Sequence, residues 1–196
     1  MRNGLLLCAA LAFAAPAFAA DAPMVIPHGG ADVTKAVAGE YTLDGNHAGV
    51  IARVSHLGFS FSVFRFDQVA GKLIWDPAAI AKSQLSATVK TGSIATNVPN
   101  FAADIAQKYL LSDKFPDATF VSTAFRPTDA THGKVDGNFT LKGKTVPLTF
   151  DVTLVGAGPG FAGGPVMGHV IGIHAEAWII LPISTSAPSS RIRSSS

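Results

Sequence analysis

Cysteine is nearly absent: Cys8 is the only one in 196 residues. It falls inside "MRNGLLLCAALAFAAPAFAADAP", which has the layout of a secretory signal, with Arg2, an apolar run from Leu5 to Phe18, and then small residues. Ala17 and Ala19 suit the minus-three and minus-one sites, so cleavage is expected after Ala19 and residues 1–19 read as a signal peptide. Leu7 before Cys8 is a poor fit to the small residue of a lipoprotein signal. The exported chain then has no thiol, which excludes disulfides and cysteine-based metal sites and leaves the core alone to hold the fold.

Charge is also scarce, at 14% of residues with a formal net of +2, part of it from Arg191 and Arg193 in the tail. A clustered basic face with stacking aromatics is missing, so nucleic acid is not an expected partner. Beyond the signal, no window approaches the roughly 20 apolar residues of a spanning helix, so a transmembrane chain is not expected either. About 175 residues remain, enough for one domain with a sizeable core. A chain this low in charge buries much of itself or lines something apolar.

Reaction-centre motifs are missing as well. Six histidines are present, but neither His-x-His nor His-Glu-x-x-His occurs and no carboxylate completes a ligand set, so no metal is expected. His169 and His174, five apart, would face opposite sides of one strand. "GPGFAG", Gly158 to Gly163, matches the letters of a dinucleotide loop without a following helix to receive a pyrophosphate, and reads as a loop. No Gly-x-Ser-x-Gly elbow exists. His47, near Asp44 and Asn46, reads as a turn stabiliser, and His56 as a hydrogen-bonded core histidine rather than a base.

What the chain does have is alternation. After a lead rich in Gly, Pro and Ala (20–39), Val50, Ala52, Val54 and His56 share one face of a period-two strand and Ile51, Arg53 and Ser55 the other. "SQLSATVK" sets Leu85, Ala87 and Val89 against Ser86, Thr88 and Lys90. Phe139 and Leu141 continue across a hairpin tip at Lys142-Gly143-Lys144 into Leu148, Phe150, Val152 and Leu154. One helix is predicted after Asn97, capped by Asn97 or Asn100, with Phe101, Ile105 and Tyr109 at four-residue spacing beside Ala102 and Ala106. About seven antiparallel strands and one short helix suggest an all-β barrel or sandwich. From Ile180 the alternation stops in "ILPISTSAPSSRIRSSS", which reads as a disordered tail (180–196).

Several stretches in order, "YTLDGNHAGVIARVSHLGFS", "GKLIWDP", "TGSIATN", "KFPDATFVST" and "VDGNFTLKGKTVPLTFDV", resemble the signatures of the YceI-like family of periplasmic polyisoprenoid-binding proteins. The resemblance spans Gly39 to about Ile179 and places one domain at 40–179. It implies a lipocalin-like antiparallel barrel of eight strands, a periplasmic address and a non-enzymatic carrier holding an isoprenoid lipid or quinone in its lumen. No cofactor is implied beyond that ligand, and a homodimer is the assembly common among relatives. Parity on this barrel assigns Val50, Ala52, Val54, His56, Leu85, Ala87, Val89, Phe139, Leu141, Phe150 and Val152 to the lumen, while Arg53 faces solvent or the helix. Two other readings stay open: a filled barrel acting through its surface, and an enzyme on an isoprenoid lipid using His56 or His47. After "AEAW" the family pattern of an Arg/Asp turn and a closing strand is missing, as a shifted or truncated reading frame would leave it. The expectation is a barrel whose last strand is lost or altered, with an exposed edge.

Overall fold

The computed structural model describes residues 26–160 and 168–179. The expected signal peptide, the Gly-rich loop beyond Gly160 and the Ser-rich tail lie outside the described residues. Among the described residues ten strands follow one another: β1 (Gly39–Thr42), β2 (Val50–His56), β3 (Ser60–Phe66), β4 (Val69–Trp75), β5 (Gln84–Lys90), β6 (Ile94–Ala95), β7 (Asp117–Pro127), β8 (His132–Leu141), β9 (Lys144–Pro159) and β10 (His169–Glu176). Seven form one antiparallel sheet in the order β1-β4-β5-β7-β8-β9-β10, and the others a second sheet, β2-β3-β6. Together they make a nearly closed antiparallel barrel. The count exceeds the expected seven because β1 and β6, four and two residues long, are too short to display a period. The region from Val50 to Phe66 is also two strands, folded back at Leu57-Gly58.

Cross-strand register confirms one alternation running through the large sheet. Leu73 pairs with Leu85, Ala87 with Phe120, Phe120 with Phe139, Val135 with Phe150, and Val152 with Ala175, so these side chains share the inner face. Thr123 in β7 and Val155 in β9 are extra residues at bulges, which restore the inward parity of Phe125 and Ala157. At the centre, Phe120 and Phe150 meet edge to face, with ring centroids 4.9 Å apart and planes at 84°. Phe120 lies across Gly137, where a Cβ would collide with its ring; only glycine fits under it.

The helical segment departs from the expected stripe. Helix α1 (Phe101–Asp104) passes into a π-helical stretch at Ile105–Leu110. With i→i+5 bonding, residues five apart come into line, so Leu110 packs beside Ile105 while Tyr109 is turned outward. Ile105 and Ala106 are buried with Ile94 from β6, and Phe64, Phe66 and Ala102 pack on them, closing that end of the barrel. Asn100 occupies the cap position in a left-handed conformation, but its side chain makes no capping bond.

The lead before β1 is anchored at several points. Asp32 accepts from the Thr34 N–H at 3.0 Å to cap a short 3₁₀ turn, Gly30 bridges Ala157, and buried Ala36 accepts from Trp75 Nε1 at 3.0 Å.

Candidate functional site

The inner wall collects most of the residues singled out by parity. Leu85, Ala87 and Val89 on β5, Phe139 and Leu141 on β8, and Phe150 and Val152 on β9 all lie on the inner face of the large sheet. Every one of the seven is half-buried rather than sealed. Val50, Ala52 and Val54 on β2 share a face with Phe64 and Phe66, which are packed on the helical cap, so that face also turns inward. Val54 nevertheless keeps 43% of its surface exposed, and Ile173, inward on β10, keeps 50%.

Both residues lie on strands at the edge of a sheet. Among the described residues, β2 pairs only with β3, and β10 only with β9. Each strand therefore has one side without a strand partner among the described residues, and Val54 and Ile173 on them are open to solvent. Apolar side chains that point inward yet stay wet offer a surface that an apolar chain would dry.

His56 corrects an expectation. It is exposed, at the last pair of β2 opposite Ser60, where the strand runs out to a hairpin tip, so it is not a core histidine. Its backbone carbonyl accepts from the Phe59 N–H at 3.0 Å. Arg53 turns to the solvent face, its guanidinium 5.3 Å from the centre of the Phe61 ring. His47 does stabilise a turn: its Nδ1 lies 2.7 Å from Asp44 Oδ2, while the Asn46 N–H donates to Asp44 Oδ1 at 3.0 Å.

Two ionic constellations stand outside the wall. In the β7–β8 turn, Asp129 accepts from the backbone N–H groups of Thr131 and His132, both at 2.8 Å, and both its oxygens lie 3.0 Å from His132 Nδ1. The Thr131 N–H first, then the imidazole, hold its carboxyl at about 2. Although a carboxylate–imidazole pair can serve acid–base chemistry, this carboxylate is committed to backbone donors and the pair caps an exposed turn. On the outer face, Asp136 takes a bidentate pair from Arg126 Nε and Nη2, each at 2.6 Å, and a bond from Thr149 Oγ1 at 2.6 Å. Arg126, then Thr149, hold it at about 2. Among the described residues, no three metal-binding side chains converge. A depression of about 300 Å³ on the outer wall is bordered by the polar Glu40, Lys72, Gln84, Ser86 and Ser122 and by the apolar Ile74, Leu85 and Val121.

Sequence reasoning missed the residues that divide the interior. Phe120, Val135 and Leu73 are buried and fill its middle, and Phe64 and Phe66 close the helical end. Alternation in "ATFVSTAF" marked Phe120 as inward or outward only modulo its neighbours; the complementary signal was Gly137, a small inward residue facing a large one.

Comparisons with known proteins agree with this geometry. A UPF0312 protein of Pseudomonas putida is 39% identical over 133 residues, spanning 66% of this chain and 69% of that protein. A UPF0312 protein of Vibrio parahaemolyticus is 36% identical over 140 residues, spanning 69% and 73%. The crystal structure of Burkholderia cenocepacia BcnA superposes with a TM-score of 0.50 at 25% identity, over 57% of this chain and 76% of that one. The model of the YceI-like domain matches residues 41–181, nearly the whole barrel, and the chain belongs to the YceI-like family.

Proposed function

We propose that this protein is an exported, non-enzymatic carrier that holds a long isoprenoid lipid, of the polyprenyl or isoprenoid-quinone type, against the inner wall of its barrel in the periplasm. The observation that carries this reading is the half-buried state of Leu85, Ala87, Val89, Phe139, Leu141, Phe150 and Val152 on one inward face. Each methylene removed from water contributes about 0.8 kcal/mol, so ten supply roughly 8 kcal/mol gross, on the scale of micromolar binding before ordering costs. Membership of a family commonly described as polyisoprenoid-binding supports the lipid class. A lipid tail needs burial and no nucleophile or base, which suits a wall built of Val, Leu, Ala and Phe.

Loading with a defined probe tests the reading. The purified protein is mixed with an isoprenoid quinone, passed through gel filtration, and the quinone in the protein peak is measured. Near-stoichiometric retention is expected for the natural chain. Ala87→Trp, which fills the inner face beside Phe120, should lose most of it while keeping the far-ultraviolet circular dichroism of the parent. Equal retention by both proteins would contradict the inner wall as the site.

A further inference from the structure

The β2–β3 hairpin carries charge of one sign. From Gly45 to Phe66 there is no aspartate or glutamate, and the charged side chains are Arg53 and Arg65. Arg65 Nε is bound to Asp67 just past the strand, at 2.7 Å. Arg53 has an aromatic partner instead, its guanidinium over Phe61.

The tip is apolar where a tip is ordinarily polar. Leu57 (φ 54°) and Gly58 (φ 79°) are the central residues of a turn closed by the Phe59 N–H to His56 carbonyl bond, with the signs of φ of a type I′ turn, inside a three-residue connection between His56 and Ser60. That turn favours Asn or Asp at its first position, and leucine adopts this backbone region rarely. Leu57 is 81% exposed and Phe59 90%. Behind them, Ile51, Phe61 and Val63 are exposed on the outer face. A large apolar group is thus held against both turn preference and water, at the end of an acid-free projection.

We infer that the β2–β3 hairpin docks the protein on a bilayer surface bearing anionic headgroups, with Leu57 and Phe59 entering the interface and Arg53 meeting phosphate. Phe61, and with it the Arg53 guanidinium, lies two to three residues behind the tip, about 7–10 Å at the rise of a strand. Interfacial apolar elements sit roughly 5–10 Å into the headgroup–acyl boundary, so the cation is placed at the level of the phosphates when the tip is inserted. A twofold contact between two such hairpins would instead bring two Arg53 side chains together, which favours the lipid surface over a second copy. The inference deepens the carrier reading, since docking would set the open inner wall beside the membrane that supplies or receives the lipid, but docking itself requires no cargo.

Co-sedimentation with vesicles tests it, using protein purified from the exported fraction. Binding is expected to vesicles of equal parts phosphatidylglycerol and phosphatidylcholine, to weaken with salt, and to be much lower on phosphatidylcholine alone. Leu57→Asn combined with Phe59→Ser should weaken binding at least tenfold. Leu57→Asn alone suits the turn and should leave the melting temperature equal or higher, so that a lost interaction is not lost folding. Arg53→Gln should cost about fivefold on the anionic vesicles. Equal binding by the natural chain and the double variant would overturn the inference. So would absence of vesicle binding together with a dimer that the double variant dissolves, which would assign the tip to a second copy. A protein that docks but carries no lipid would leave this inference standing and remove the carrier reading.

Discussion

Asp129 and Asp136 tie the stability of the β7–β8 hairpin to pH. Both carboxyls sit at about 2 in the folded chain, below the ordinary 3.8, one through backbone N–H groups and the His132 imidazole, the other through Arg126 and Thr149. A carboxylate whose folded value is depressed contributes stability that is present above its unfolded value and is lost as pH falls through its folded value. The window therefore runs from about pH 4 down to about pH 2. Urea midpoints taken across that window should fall for the natural chain and fall less steeply for Asp136→Asn, which has no carboxyl left to protonate. Identical slopes would show that the Arg126–Asp136–Thr149 cluster does not stabilise the fold. These groups lie on the outer face, where solvent screening keeps each contribution small. At this scale the sequence was legible where a residue acts on its neighbours, as with Asp44, Asn46 and His47 in one turn. It was illegible for His56, whose exposure follows from where β2 ends, a property of the chain's path rather than of the parity of its residues.

Two hairpins that both turn through a pair of left-handed residues show what makes an element readable. Lys142 (φ 52°) and Gly143 (φ 70°) form the β8–β9 turn, and the Lys-Gly-Lys cluster between two alternating runs predicted it. Leu57 and Gly58 form the β2–β3 turn with the same signs of φ, yet an apolar residue in the first position let the alternation read on through it. Lys142 also marks a correctable strain, because a side chain with a full aliphatic stem occupies a left-handed position that asparagine tolerates better. Lys142→Asn should therefore stabilise the chain by about 0.5–1 kcal/mol, visible as a rise of a few degrees in melting temperature. A fall would mean that Lys142 makes a contact worth more than its backbone cost. The helical segment was legible in place but not in pitch. The four-residue spacing of Phe101, Ile105 and Tyr109 describes an α-helix, whereas the π stretch from Ile105 turns the buried line onto Leu110.

Over the whole molecule, short-range pattern was enough for the strands of the barrel and for the inward parity of Leu85, Ala87, Val89, Phe139, Leu141, Phe150 and Val152. How full the interior is could not be read that way, because a filled and an open barrel alternate alike. The answer lies in pairings distant in sequence: Phe120 over Gly137 and against Phe150 fills the middle, while Val54 and Ile173 stay exposed on β2 and β10, each of which pairs on one side only among the described residues. An open apolar wall is either a binding surface or a loss of stability with no return, and only its contents distinguish the two. The direct measurement is mass spectrometry of an organic extract from the protein purified without detergent from the exported fraction, compared with an unrelated exported protein handled identically. The carrier account predicts an isoprenoid lipid near one per chain in the first sample and none in the second. A well-folded protein whose extract matches the control would contradict it.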